Sequence, residues 1–209
     1  LILFTLWFLV RRPELHYDRE GFPDLVLLID DTRSMGEPDT YRDPGVIERV
    51  KALSDSIRGR LQREAPERIA ALEAEIAAKA PEADKTPDAK AELDELTQRL
   101  GYWTRQRETL NTDQWRPSRL QLVQAILSQP EPHWLKTLLT RHRSKVHVFH
   151  LDVHGRAIKL RDPEGDAGEV IDPRDAASVE RAVAAILRLE PVGNDSRLGV
   201  AVKQVIDHY

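Results

Sequence analysis

Asp30, Thr32 and Ser34 stand two residues apart in the stretch Asp24–Gly36, DLVLLIDDTRSMG. One carboxylate and two hydroxyls are hard oxygen donors. On a single loop they can converge on one cation, and such a set suits Mg2+ or Mn2+, which take octahedral oxygen sites that retain water. Asp, Ser and Thr at a strand end also form ordinary turns by hydrogen-bonding their own backbone. Context favours the metal. The triplet closes an unbroken apolar run, Leu25 to Ile29. That run predicts a strand buried on both faces, and ligands of open α/β sheets bind at the carboxyl ends of the strands.

The elements that must position the triplet are helices and further strands. From Val46 the apolar spacing changes to three and four: Val46, Val50, Leu53, Ile57 and Leu61, then Ile69, Leu72 and Ile76, then Leu93, Leu96, Leu100 and Trp103. This predicts two or three helices over about residues 46–111, paired as an antiparallel hairpin or short coiled coil, with Pro66 breaking or restarting the pattern. Pro44 suits a first helical turn. Ser118 is a fitting N-cap for a helix carrying Leu120, Val123, Ile126 and Leu127. Trp134–Leu139 reads as a further short helix. Lys145–Val153, KVHVFHLDV, has strand composition, and after a turn at Gly155 the chain returns as an edge strand over Ala157–Leu160. Arg161–Gly168 reads as a polar loop, and Ala176–Leu189 and Leu198–Ile206 read as helices. Strands alternating with helices predict an α/β fold: a doubly wound, mostly parallel sheet with an inserted α-helical hairpin or coiled coil.

The bulk numbers fit one sizeable core with an appendage. The chain has 209 residues, 41% hydrophobic and 32% charged, with a net charge of −4. Nothing global points to nucleic acid. The absence of cysteine excludes disulfides, thiolate metal sites and cysteine nucleophiles. The first ten residues, LILFTLWFLV, are apolar and run directly into Arg11 and Arg12. A full membrane span needs about 20 residues. Residues 1–12 therefore read as the last half of a transmembrane helix, and the positive flank places the remainder of the chain on the cytoplasmic side. A core strand or buried helix is the competing account. Residues 13–23, with Gly21 and two prolines, read as a linker. Both ends of the chain read as cut.

An apolar strand followed by D-x-[ST]-x-S and then Met35-Gly36 resembles the metal-ion-dependent adhesion site of the von Willebrand factor A domain family, with Thr32 standing where serine is usual. The resemblance is to the bacterial membrane-anchored type and covers roughly residues 24–41 and 115–209. It implies an A-type domain over 24–45 and 112–209, incomplete at its carboxyl end, interrupted by the helical insertion at 46–111. In that family a second segment supplies a hydroxyl from a glycine-containing loop before a helix. Gly193–Val202, GNDSRLGVAV, is similar, with Ser196 as the equivalent and Asp195 as the competitor. A third segment, Asp-Gly after a further strand, is absent from these residues. The resemblance implies metal ligation by Asp30, Thr32, Ser34 and Ser196, and a site that binds rather than catalyses. Its partner would be a protein presenting an acidic side chain to the cation.

Other residues carry weaker chemistry. Asp31 alternates away from Asp30 and Thr32 and reads as a solvated neighbour. His150, Asp152 and His154 would share one strand face and could form a second metal cluster, although imidazoles on a half-exposed strand are ordinarily polar-face residues. The main alternative function is a metal-independent helical docking protein working through residues 46–111. An aspartate-nucleophile phosphatase of the haloacid dehalogenase kind fits less well, because its second aspartate would fall at Thr32.

Overall fold

A computed structural model describes residues 24–82, 86–129, 145–152, 154–160, 176–191, 193 and 197–208, together with Trp134 and Thr137. The sequence expectations for residues 1–12, the linker at 13–23, the loop at 161–168 and most of the helix at 134–139 lie outside the described residues.

Among the described residues the chain is mostly helical, which overturns the expectation of a doubly wound, mostly parallel α/β sheet. The sheet is small and mixed, with three strands in the order β1–β2–β3: β1 is Asp24–Ile29, β2 is Lys145–Leu151 and β3 is Ala157–Lys159. β1 and β2 are parallel, from Asp24 opposite Lys145 to Ile29 opposite His150. β3 returns antiparallel, with Phe149 opposite Lys159 and Leu151 opposite Ala157. The reason is local. The short turn at Gly155, where φ is 71°, leaves no room for the crossover that a parallel neighbour requires. A doubly wound sheet needs several such crossovers, and among the described residues only the β1-to-β2 connection supplies one. Ile57, Leu61, Ile69, Leu72, Leu96 and Trp103, which carry the helical spacing, are instead buried in a core built by helices.

Among the described residues β1 lies at one edge of the sheet, and it is not buried on both faces as its apolar run predicts. Ile29 is buried, Leu25 is 37% exposed, and the residues between are half-buried.

The largest body is a helical hairpin. α1 runs Pro44–Lys79 and α2 runs Pro87–Leu110. Asp43 caps α1 by accepting from the backbone of Gly45 and Val46, ahead of Pro44 in the first turn. Thr86 caps α2 in the same way through Ala89. The helices are antiparallel: Gln62 reaches Asn111 at one end, and Lys79 pairs with Glu92 at the other. Pro66 does not break α1, which continues through it. Proline forfeits one backbone bond there, while Ala65 and Ile69 on either side are buried in the seam. That seam also contains Ile57, Leu61, Leu72, Leu96, Trp103 and Leu110.

α3, Arg119–Ser128, joins the hairpin to the sheet. Its N-terminus is a reciprocal capping box, in which Ser118 Oγ accepts from Gln121 N and the Gln121 side chain accepts from Ser118 N. Leu120 and Leu127 pack with Ile29, Val146 and Val148, together with residues of α4, Ala176–Leu187. Leu122 belongs to the hairpin core. α5, Leu198–His208, lies over β3, where the Gln204 side chain accepts from Ala157 N.

Candidate metal centre

The loop after β1 folds back at once. Thr32 precedes a single 3-10 turn, Arg33–Gly36, in which Met35 N donates to Thr32 O at 2.8 Å. Asp30 Oδ1 accepts from Thr32 N at 2.9 Å, an arrangement typical of aspartate in turns. Thr32 Oγ1 and Ser34 Oγ lie 3.2 Å apart. The two hydroxyls therefore meet at the carboxyl end of β1, while the Asp30 carboxylate is turned to the backbone of Thr32. Thr32 is 2% exposed and Asp30 is half-buried, whereas Ser34 is open to solvent. Met35 anchors the turn by packing against the sheet core.

A second segment borders this loop. Gly193 pairs with Thr32 in a parallel bridge, and its carbonyl accepts from Arg33 N at 2.7 Å. A Cβ at Gly193 would sit 3.3 Å from both Cα and Cγ2 of Thr32 and 3.4 Å from the Asp152 carbonyl, so a side chain there would fit only if Thr32 gave way by a few tenths of an ångström. Gly36 faces Pro191 in the same way, since a Cβ there would lie 2.9 Å from Pro191 Cγ. Pro191 and Gly193 thus lie against the Asp30–Gly36 loop, with Gly193 also close to the end of β2. Ser196 and Asp195 fall outside the described residues.

On its other side the loop is tied to α3. Pro38 bridges Ser118, and Arg119 N donates to Glu37 O. Asp39 lies 3.4 Å from Arg119 Nε.

Asp31 is not the solvated neighbour that the sequence led us to expect. It is 5% exposed, and its carboxylate accepts from Leu151 N and faces His150 Nδ1, both at 2.9 Å. The signal was available in the sequence: alternation puts Asp31 on the same face as Ile29, which is buried. His150, Asp152 and His154 do not form a metal cluster. His150 is engaged with Asp31, while Asp152 accepts from the backbone of His154 and Arg156 and from the Arg156 guanidinium. Among the described residues no group of three or more His, Asp or Glu side chains is arranged to hold a metal ion. The Asp30–Thr32–Ser34 set is of another kind, with one carboxylate and two hydroxyls.

The fold and site together define a predominantly helical protein with a small mixed sheet and an oxygen-donor loop at the carboxyl end of its first strand. Compared with models of protein families, with curated proteins and with solved structures, the chain matches none of them.

Proposed function

We propose that the chain is a divalent-cation-dependent protein-interaction module. Mg2+ or Mn2+ would be held by Asp30, Thr32 and Ser34, with Ser196 as a further oxygen donor. An acidic side chain from a protein partner would take an open coordination position. The observation that carries this reading is the meeting of Thr32 Oγ1 and Ser34 Oγ at 3.2 Å beside the Asp30 carboxylate. Adjacent corners of an octahedron with metal–oxygen bonds of about 2.1 Å lie about 3.0 Å apart, so two hydroxyls at this spacing suit neighbouring positions. The exposure of Ser34 gives the cation access and lets it keep water. The motif's resemblance to the von Willebrand factor A adhesion site supports the same role. It is a resemblance of the loop and does not extend to the doubly wound sheet. The apolar residues 1–10, followed by Arg11 and Arg12, support a membrane anchor with the module on the cytoplasmic side. Among the described residues no helix is long and apolar enough to cross a membrane.

Titration calorimetry with MgCl2 and MnCl2 on the full chain and on Asp30→Ala tests the proposal. Saturable heat is expected from the wild type and none from the variant. Equal heats from the two proteins would sink it.

A second reading, a cation-independent helical docking protein, draws on the hairpin. α1 and α2 bury their own core and present densely charged outer faces. Partner capture that persists in a chelator and in Asp30→Ala would favour it.

A further inference from the structure

Arg99 and Trp103 of the hairpin lie more than sixty residues beyond the oxygen-donor loop, and a third segment, at Glu190, touches that pair and leads to the loop. Glu190 is 5% exposed. Its carboxylate accepts from Trp103 Nε1 at 2.7 Å and pairs with Arg99 Nε, both donors coming from α2. A buried carboxylate is tolerated only when it is paired and hydrogen-bonded, so these two donors fix where Glu190 can sit. The preceding turn is fixed as well: Gln124 of α3 donates to the carbonyls of Ile186 and Leu189. From Glu190 the chain passes directly to Pro191, which abuts Gly36, and to Gly193, which abuts Thr32 and accepts from Arg33 N. The path from the hairpin to the oxygen-donor loop is thus a short run of backbone with a specific contact at each end.

We propose that Glu190 is a positioning residue through which the helical hairpin holds the 190–193 segment against the Asp30–Gly36 loop, and so sets how tightly that loop binds a cation. The last step rests on the proposed cation site; the positional link does not. A corollary is reciprocity: a partner that shifts α2 would change cation affinity, and bound cation would change affinity for that partner by the same factor.

Amide hydrogen exchange on the full chain tests the link without any metal. The Arg33 amide reports on the Gly193 contact, and the Leu160 amide, which donates to Val148 O, reports on the sheet. Glu190→Gln keeps the shape of the side chain and removes its charge. Trp103→Phe keeps the packing and removes one donor, and it serves if the first variant folds poorly. Arg33 exchange should quicken about tenfold in either variant, the scale expected for a weakened charge-assisted hydrogen bond, with Leu160 unchanged. Mn2+ affinity should fall by a similar factor. Unchanged Arg33 exchange, or equal acceleration of Arg33 and Leu160, would overturn the proposal. Selective acceleration of Arg33 in a chain that binds no Mn2+ would support the positional link and remove the cation reading alone.

Discussion

Adjacent aspartates divide the end of β1 between them. Asp30 turns into the loop toward Thr32, and Asp31 turns across to the end of β2. The first of these was legible in the spacing of the hydroxyls. The second was missed because aspartate was weighed as a solvated residue, whereas the buried face shared with Ile29 decides its place. Asp152 closes β2 in a comparable way. Burial raises its carboxyl pKa, but the Arg156 and His154 donors outweigh that and leave it below the ordinary value of 3.8. A carboxyl lowered on folding stabilises the protein above its unfolded pKa, and this contribution is lost as pH falls through the folded value. Asp152→Asn should therefore be less stable than the wild type at neutral pH, and the gap should narrow below about pH 4. Urea midpoints at neutral and acidic pH measure it. A gap of constant size would show that the charge of Asp152 is not what matters.

Among the elements, α3 is the one whose ends matter most to the loop. Its capping box satisfies Ser118 and Gln121 reciprocally, while Ser118 also bridges Pro38. Ser118→Ala should cost about 1–2 kcal/mol, the upper part of the range for a lost N-cap, because the site is buried. Urea unfolding reads this directly, and a change below a few tenths of a kcal/mol would mean that the cap is dispensable. The helices were the most legible elements. The spacing of Ile57, Leu61, Ile69 and Leu72 matches the buried seam, and Ser118 stands at the expected cap. Pro66 was misjudged because the packing of Ala65 and Ile69 around it is invisible in a one-residue rule. The sheet was overestimated for a related reason. An apolar run such as Leu25–Ile29 records how apolar a strand is, not how many neighbours it has. Its edge position is set by pairings more than a hundred residues away. Nothing in the local sequence around Glu190 marks it as the partner of Arg99 and Trp103.

At the scale of the molecule, two cores meet in one short helix. Leu120 and Leu127 serve the sheet, and Leu122 serves the hairpin. Neither core can lose α3 and stay intact, so the described body should unfold as a unit. Leu122→Ala should cost about 2–4 kcal/mol, the usual range for truncating a buried leucine. It should also lower the melting temperature of both cores together. Differential calorimetry is the measurement: one displaced peak is expected, and a peak that splits would show that the cores are independent.

The parallel pairing of β1 with β2 joins residues roughly 120 positions apart, a long loop to close from an unfolded chain. More than half of that loop is the hairpin, whose own contacts are local and which brings Gln62 in the middle of α1 beside Asn111 at the end of α2. Once α1 and α2 have zipped together, the chain still to be searched is shorter by about two fifths, which spares about 0.5 kcal/mol of closure entropy. The insertion that separates the strands in sequence thus also serves as the splint that brings them together. The locality of its contacts leads us to expect the hairpin to form first, α3 to dock onto it, and the strands to pair last. The oxygen-donor loop, which needs both β1 and Gly193, would then be among the final parts of the molecule to take shape.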